Sequence, residues 1–164
     1  MRAAVLTIST TRSGGGAEDE SGPRLAELAG RLGATDVHAD LVRDDRRAIE
    51  ERLRELCDRD RCALVLTTGG TGLTDDDVTP EATRAVLDRE IPGIGEAIRA
   101  ASREHTEHWM LSRAIAGTRG RTLIVNFPGS PRAIDELAGA LEGGLRHALA
   151  LVSGAGHARH AAGA

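Results

Sequence analysis

The chain contains no lysine, because the 21 residues counted as lysine or arginine are all arginine. Mechanisms that require a lysine are therefore excluded, including the lysine of a phosphate-binding P-loop and Schiff-base formation on a side-chain amine. Any cationic side chain that holds a phosphate has to be an arginine, which favours bidentate contacts.

Aromatic residues are nearly absent, with one tryptophan, one phenylalanine and no tyrosine, and the net charge is −4. This composition offers neither stacking platforms nor positive charge for nucleic acid. No apolar run approaches the ~18 residues that a membrane span needs. The chain also passes from Met1 directly into a strand pattern. We therefore expect a cytoplasmic protein without a signal peptide that binds neither nucleic acid nor membranes.

Cysteine is also scarce: Cys57 and Cys62 are the only two. Their spacing fits neither a zinc ribbon nor a CxxC redox pair, so we predict two buried, reduced thiols. The length of 164 residues is typical of a single domain. We place this domain at residues 1–153 and expect residues 154–164, rich in glycine and alanine, to be disordered.

Apolar strand patterns alternate with amphipathic helix patterns along the chain. Strands are predicted over about 3–9, 35–42, 62–67 and 121–127, with a short hairpin partner near 113–117. Helices are predicted over about 18–32, 45–58, 80–89, 94–106 and 131–152. This alternation implies right-handed crossovers, and hence an α/β fold of three layers with a mostly parallel sheet and helices on both faces.

The segment Leu66–Gly72 (LTTGGTG) follows a buried strand and precedes a helix start. Its glycines let the backbone turn sharply and bring amide N–H groups close to a ligand. Thr79 is predicted as the N-cap of the next helix and Pro80 as its first residue. A strand, a glycine-rich loop and a helix start in this order predict a site for an anion such as phosphate.

Three polar loops, at about 9–16, 68–77 and 126–131, follow strands of the predicted sheet. Asp44 comes directly after another strand. In open α/β sheets, ligands bind outside the carboxyl ends of the strands. Because all these segments meet at that edge, the sequence predicts a binding cleft there.

Several motifs in the same order resemble the molybdenum cofactor biosynthesis family of MogA and MoaB, whose domain also occurs in gephyrin. They are LTTGGTG at 66–72, DVTPE at 77–81, IPG at 91–93, LSR at 111–113 and NFPGSP at 126–131. The resemblance covers about residues 3–152. It implies a molybdopterin-binding fold that commonly assembles as a homotrimer.

The resemblance also implies an activity, the adenylylation of molybdopterin with Mg-ATP, which releases pyrophosphate. Two family aspartates correspond to Asp44 and Asp77, which are then the expected catalytic residues and ligands of Mg²⁺. Asp45 competes with Asp44 for this correspondence, and either could cap the following helix. The alternative function is that of a MoaB-like protein that binds molybdopterin or a precursor pterin without turnover. A downstream molybdate-insertion protein is a further expected partner.

The expected substrate-binding residues lie in the three loops and in the LSR motif: Ser9, Thr10, Thr68, Gly69, Gly70, Thr71, Gly72, Ser112, Asn126, Pro128, Gly129 and Ser130. Two alternatives are open, because Ser130 could instead cap a helix and Arg113 could be either a wall of the site or solvated. The first loop departs from the pattern of many relatives, which carry an aspartate after the serine. Asp75 and Asp76 add acid beside Asp77 and would repel a triphosphate unless a cation is bound.

The helix predicted over about 94–106 and the segment Trp109–Leu111 carry more apolar residues than a solvated surface needs. We expect the interface of a symmetric homotrimer near them. Packing of the same residues inside the monomer is the alternative.

Overall fold

The computed structural model describes residues 1–15 and 18–154, and of Arg12 only the backbone. Within this range six strands form a single sheet in the order β2-β1-β3-β6-β5-β4. Strands β2, β1, β3 and β6 are parallel, whereas β5 runs antiparallel to both β6 and β4. The strands are β1 (Arg2–Ile8), β2 (Asp36–Val42), β3 (Leu64–Thr68), β4 (Arg89–Glu90), β5 (Ala116–Arg119) and β6 (Thr122–Phe127).

Helices cover both faces of the sheet, as the sequence predicts. They are α1 (Thr10–Ser13), α2 (Ser21–Arg31), α3 (Arg46–Arg54), α4 (Thr79–Arg84), α5 (Pro92–Ser102) and α6 (Pro131–Val152). A π-helical turn (Glu55–Arg59) continues α3, and a 3₁₀ turn (Trp109–Leu111) precedes β5. Apolar residues of α2, α5 and α6 fill the core on one face, and those of α3 and α4 fill it on the other. The predicted three-layer α/β fold is confirmed.

Strand β1 shows why a central parallel strand reads as a continuous apolar run. Ala3 and Val5 point into the core beneath α2 and α6, whereas Ala4 and Leu6 point into the core beneath α3. All four side chains are fully buried. Burial on both faces removes the polar alternation that marks a half-exposed strand.

The helix caps follow their sequence signals at two of three predicted positions. Ser130 caps α6 and accepts a hydrogen bond from the amide of Ala133 at 3.4 Å. Asp45 caps α3 and accepts from the amide of Ala48 at 2.8 Å. Thr79 is not a cap, and that prediction was wrong. It is the first residue of α4, and its hydroxyl donates to a loop carbonyl instead.

The segment after α4 differs from the predicted helix over about 80–89. Helix α4 ends at Arg84, and Arg89–Glu90 forms the edge strand β4 against β5. Ile91 continues the extended path, with φ −117° and ψ 82°, and its amide donates to the carbonyl of Ala116 at 2.7 Å. A residue before proline is driven out of the helical region, so Pro92 keeps Ile91 extended.

Helix α2 begins three residues later than the predicted start at residue 18. The Asp19 carboxylate accepts from the amides of Ser21 and Gly22, at 3.1 and 3.0 Å. It thereby satisfies N–H groups that have no partner within the helix. The first helical residue is therefore Ser21.

The predicted tail at 154–164 lies outside the described residues except for Gly154, and Gly16 of the predicted first loop also lies outside them. Cys57 and Cys62 are buried free thiols, as predicted. None of the helices within residues 1–15 and 18–154 combines the length and the apolar character that a membrane span requires.

Candidate functional site

The carboxyl edge of the sheet brings the three predicted loops into direct contact. Gly69, the first residue after β3, donates its amide to the carbonyl of Phe127 at 3.4 Å. Its φ is +97°, and a Cβ on it would overlap the carbonyl oxygen of Ile8. A Cβ on Gly129 would come within 3.3 Å of the Cα of Gly69. The backbones therefore approach each other more closely than a side chain would allow.

Asp44 and the first loop hold each other in place. The Asp44 Oδ2 atom accepts from the amide of Thr10 at 2.6 Å and from its hydroxyl at 2.9 Å, and the amide of Asp44 donates to the same hydroxyl at 3.2 Å. The other carboxylate oxygen faces the glycine loop, because a Cβ on Gly70 would lie 3.6 Å from it. Asp45 is occupied as the cap of α3. The structure therefore places Asp44, and not Asp45, at the cleft.

The glycine loop, which we define as residues 69–72, is fastened to α4 by Thr79. The Thr79 hydroxyl donates to the carbonyl of Gly69 at 2.9 Å, and its amide donates to the carbonyl of Gly70 at 3.1 Å. Gly70 has a φ of +63°, and a Cβ there would overlap the Thr79 hydroxyl. Glycine is required at position 70 both for its backbone conformation and for this contact.

Asp77 lies at the far end of the loop and contacts the glycine loop at Gly72. Its Oδ2 atom accepts from the amide and the hydroxyl of Thr74, at 2.9 and 2.7 Å. Burial raises the pKa of Asp77, but hydrogen bonds from Thr74 and Gly72, together with the charge of Arg113, outweigh burial and hold the pKa below its usual value. The carboxylate is therefore ionised and oriented at neutral pH.

Arg113 joins the glycine loop to Asp77 and α4. Its Nε donates to the carbonyl of Gly72 at 2.7 Å, and its terminal nitrogens donate to the carbonyl of Asp77 and the carboxylate of Glu81. Its amide donates to the carbonyl of Thr71 at 3.1 Å. Of the two sequence alternatives for Arg113, the solvated arginine is excluded. The side chain restrains the backbone around Asp77.

Three of the predicted binding residues have side chains that the fold already uses. The Asn126 side chain is fully buried, and its amide nitrogen donates to the hydroxyls of Thr67 and Thr83 at 2.9 and 3.0 Å. The Thr68 hydroxyl donates to the carbonyl of Pro128 at 2.8 Å, and the Thr71 side chain is also buried. Contact between these side chains and a substrate stays a prediction, and for Asn126 the structure places the amide inside the protein.

The remaining predicted binding residues are accessible from solvent. Ser112 is half-buried, and its hydroxyl accepts from the amide of Ala114 at 3.4 Å. Ser130 is exposed beside its cap contact. The others line the edge where the loops meet: Ser9, Thr10, Gly69, Gly70, Gly72, Pro128 and Gly129. These residues present mainly backbone groups and small hydroxyls, which suits a phosphate-bearing ligand.

Sequence reasoning missed the residues that fasten the loops. The sequence predicts Thr79 as a helix cap, and this prediction gives no indication of its hydrogen bond to the carbonyl of Gly69. Ser21 donates its hydroxyl to the carbonyl of Gly129 at 2.8 Å and so holds the third loop against α2. No local pattern distinguishes this serine, because its partner lies 108 residues away in the chain.

A cavity of about 380 Å³ opens beside Asp77, between the start of α3 and the segment that precedes α4. It is lined by Arg46, Leu73, Thr74, Asp77, Val78, Glu81 and Arg113. Because Arg46 lies two residues after Asp44, this cavity is bounded by the two segments that carry the expected catalytic aspartates.

The donor set around the glycine loop fits a metal ion that arrives with its ligand. No group of three or more histidine, cysteine or acidic side chains suited to a metal occurs among the described residues. Asp77 accepts from the amide of Gly72, and Asp44 lies beside Gly70, so the two carboxylates approach the loop separately. Mg²⁺ is commonly held by one or two carboxylates plus substrate phosphates and water. Two separate carboxylates agree with that mode of binding.

A family model described as "Probable molybdopterin binding domain" matches residues 4–144 of the chain. The molybdopterin adenylyltransferase of Helicobacter pylori strain J99 is 39% identical over 152 residues, which cover 92% of this chain and 86% of that protein. The molybdenum cofactor synthesis protein cinnamon of Drosophila melanogaster is 42% identical over 149 residues. The match covers 90% of this chain but only 25% of cinnamon.

Solved structures show the same fold. The molybdopterin biosynthesis enzyme MoaB of Thermus thermophilus has a TM-score of 0.86 and 42% identity, covering 93% of this chain and 96% of its own. A MogA structure has a TM-score of 0.88 and 35% identity, covering 93% of this chain and 99% of its own. The similarity therefore extends over almost all of the described residues.

Proposed function

The chain belongs to the family of probable molybdopterin binding domains, and from this membership we propose that it is a molybdopterin adenylyltransferase in molybdenum cofactor biosynthesis. Two relatives of that name, the proteins of H. pylori J99 and Escherichia coli K12, are 39% and 41% identical to this chain. The observation that carries the proposal is the position of two carboxylates, Asp44 and Asp77, beside Gly70 and Gly72 of one glycine loop.

In the proposed reaction an oxygen of the molybdopterin phosphate attacks the α-phosphorus of ATP. A new P–O bond forms, the bond from the α-phosphorus to the bridging oxygen breaks, and the electron pair leaves with pyrophosphate. Both reactants are anions, so the site has to neutralise charge and fix their orientation. The glycine loop is suited to this task, because the positive φ angles of Gly69 and Gly70 at the edge of the sheet let its backbone approach a ligand closely.

Asp44 and Asp77 are the residues that would hold Mg²⁺ bound to ATP. When bound, Mg²⁺ supplies charge neutralisation on the phosphate oxygens. The chain itself prepares Asp77 for this role, since Thr74, Gly72 and Arg113 keep its carboxylate ionised and fixed. Two hydrogen bonds from Thr10 fix the orientation of the Asp44 carboxylate. ATP as the co-substrate follows from the proposed reaction, and a cytoplasmic location stays a prediction.

Pyrophosphate release from Mg-ATP tests the proposed function. We expect release that depends on added molybdopterin and that stops when EDTA removes the divalent cation. Molybdopterin binding without pyrophosphate release would favour the alternative, a MoaB-like binding protein, and would reject the enzyme.

We also propose a homotrimer, with an interface near α5 and the 3₁₀ turn. Met110 and Leu111 expose 62% and 47% of their surface. An apolar groove of about 380 Å³ runs between α5 and α6. Ile98 of α5, by contrast, is fully buried in the monomer, so only part of the predicted apolar surface is available. Light scattering should give about three times the monomer mass of 17.2 kDa; the monomer mass itself would reject the trimer.

A further inference from the structure

The cavity beside Asp77 contains two arginines in different situations. Arg113 uses all three of its guanidinium nitrogens on the loop carbonyls and Glu81. Arg46 bonds only through Nε, to the Glu50 carboxylate at 2.9 Å, and its side chain is 57% exposed. The terminal nitrogens of Arg46 donate to no other described residue. Arg46 is therefore the cation of this cavity that is available to a ligand.

If Arg46 moved away from Glu50, the mostly buried Glu50 carboxylate would still have a partner. The Glu50 side chain is 17% exposed, so it needs a partner. Arg54 provides one, since it donates to the second Glu50 oxygen at 3.1 Å. Glu50 keeps this bond whichever way Arg46 points. The Arg46 side chain itself is 57% exposed, so water can take the place of Glu50 as its partner when it moves. Arg46 can thus move into the cavity at little cost.

The charge of the opposite wall creates a need for such a cation. Asp75, Asp76 and Asp77 follow one another, and the first two are exposed. A triphosphate approaching this wall meets a run of negative charge. With lysine absent from the chain, arginine is the permanently cationic side chain that can compensate this charge. A guanidinium can donate hydrogen bonds to two phosphate oxygens at once.

We propose that Arg46 binds the β- and γ-phosphates of ATP, the part that leaves as pyrophosphate. The inference rests on the proposed function for the identity of the ligand. It assigns the cavity between α3 and Asp77 to the leaving group, and the edge where the three loops meet to the molybdopterin phosphate. Arg46 then selects a nucleoside triphosphate over the monophosphate, because only the triphosphate reaches the cavity.

The test compares Arg46→Gln and Arg46→Lys with Arg47→Gln. Arg47 is adjacent, exposed and equally charged, but it does not line the cavity. Isothermal titration of the intact protein with Mg-ATP, Mg-AMP and Mg-pyrophosphate gives the affinities. We expect Arg46→Gln to weaken Mg-ATP and Mg-pyrophosphate by about ten-fold or more, the usual effect of one lost charge-assisted contact. Arg46→Lys should weaken both less, and Mg-AMP should bind all variants equally.

Steady-state kinetics adds a readout that a structural role would not move. Arg46→Gln should raise the KM for ATP and leave the KM for molybdopterin unchanged, with an unaltered unfolding temperature.

Equal losses of Mg-ATP affinity in Arg46→Gln and Arg47→Gln, or no loss in Arg46→Gln, would overturn the assignment. If wild type releases pyrophosphate normally and Arg46→Gln matches it, only this inference fails. If wild type binds Mg-ATP through Arg46 but never turns over, only the proposed function fails. Absence of any Mg-ATP binding to wild type would reject both.

Discussion

The two ends of the parallel sheet carry cavities of unequal size and opposite chemical character. The larger one, of about 610 Å³, lies at the amino ends of β3 and β6, whereas the cavity beside Asp77 at the carboxyl edge measures about 380 Å³. The amino-edge cavity is lined by Cys57, Asp58, Arg61, Cys62, Ala63, Arg121, Thr122 and Ser153. Cavity volume alone would therefore favour the amino edge over the carboxyl edge, where the sequence predicts the site.

Polar groups at the amino edge are already satisfied within the protein. Asp58 forms a two-pronged ion pair with Arg119, at 2.9 and 2.7 Å, and the Thr122 hydroxyl donates to the carbonyl of Cys62 at 2.6 Å. Burial raises the pKa of Cys57 to about 12, so its thiol stays protonated at neutral pH. Asp58, Thr122 and Cys57 therefore offer this cavity no unpaired ionised group.

At the carboxyl edge, side chains restrain the backbone and leave ionised or donor groups facing the cleft. Thr79, Arg113 and Thr10 fasten the loops and hold the Asp44 and Asp77 carboxylates beside the glycine loop. The comparison teaches that a site is recognised by restrained, ionised groups rather than by empty space. Substitutions at matched positions of the two edges test this difference.

The largest expected effect is that of Asp77→Asn. Loss of a transition-state contact worth about 3–4 kcal/mol lowers turnover by about 10²–10³-fold. Molybdopterin binding should survive, as measured by calorimetry. Asp58→Asn at the amino edge is the control, and it should retain full turnover. A folded Asp77→Asn variant with wild-type turnover would remove this carboxylate from the mechanism.

Gly70→Ala is expected to have the next largest effect. The new Cβ overlaps the Thr79 hydroxyl, and so disturbs the glycine loop. We expect affinity for molybdopterin to fall by about ten-fold or more, equivalent to about 1.4 kcal/mol. Gly120→Ala, between β5 and β6, is the control, because Gly120 also has a positive φ but no atom near its Cβ position.

Both glycine substitutions should cost about 1–2 kcal/mol of stability from the left-handed backbone alone. Only Gly70→Ala should lose ligand affinity. Equal affinities in the two variants would show that the glycine loop is merely a tight turn.

Arg113→Met should alter the pH dependence of activity. Asp77 acts as a carboxylate, so activity falls when the pH drops through its lowered pKa. Arg113 contributes to that lowering, so its removal raises the pKa of Asp77 and moves the acid limb of the kcat/KM profile to higher pH. Turnover at neutral pH should also decrease several-fold, since the carbonyls of Gly72 and Asp77 each lose a hydrogen bond from Arg113 worth about 1 kcal/mol.

The matched arginine at the amino edge is Arg119, which likewise bonds a carboxylate and a backbone carbonyl. Arg119→Met should lower the unfolding temperature without moving the pH profile. An acid limb that stays in place in Arg113→Met would mean that Arg113 has no electrostatic influence on Asp77.

The smallest effect is expected for Cys57→Ala. Its activity should equal that of wild type, with a stability loss of about 1 kcal/mol for the small void left behind. Native wild-type protein should also resist iodoacetamide at pH 7 without loss of activity, because a thiol with a pKa of about 12 is almost never a thiolate. Rapid alkylation that abolishes turnover would contradict the passive role of the amino edge.

The sequence predicts the layered fold because local signals and tertiary structure agree. Ser130 with Pro131 marks the start of α6, and the apolar run from Ala3 onward marks a central strand. Edge strand β4 is not predicted from the sequence, because both of its residues are exposed. Their pairing is determined by β5, almost thirty residues further along the chain. Short edge strands carry no apolar pattern of their own.

The candidate site is predictable only in part, for a related reason. The order of residues along the chain is enough to predict Gly69, Gly70 and Asp77 as site residues. The contacts that fix them are not local, since Arg113 reaches Gly72 across 41 residues and Ser21 reaches Gly129 across 108. Asn126 reads as a ligand contact in the sequence, but its place on a buried strand turns its amide inward to two threonine hydroxyls.

Transfer of label from α-³²P-ATP to molybdopterin tests the central claim most directly. Wild type and Asp58→Asn should form labelled adenylylated molybdopterin in step with pyrophosphate release. Asp77→Asn should bind molybdopterin but form the labelled product about 10²–10³-fold more slowly. Label transfer that is absent in wild type, or equally fast in Asp77→Asn, would contradict an adenylylation site at the carboxyl edge of the sheet.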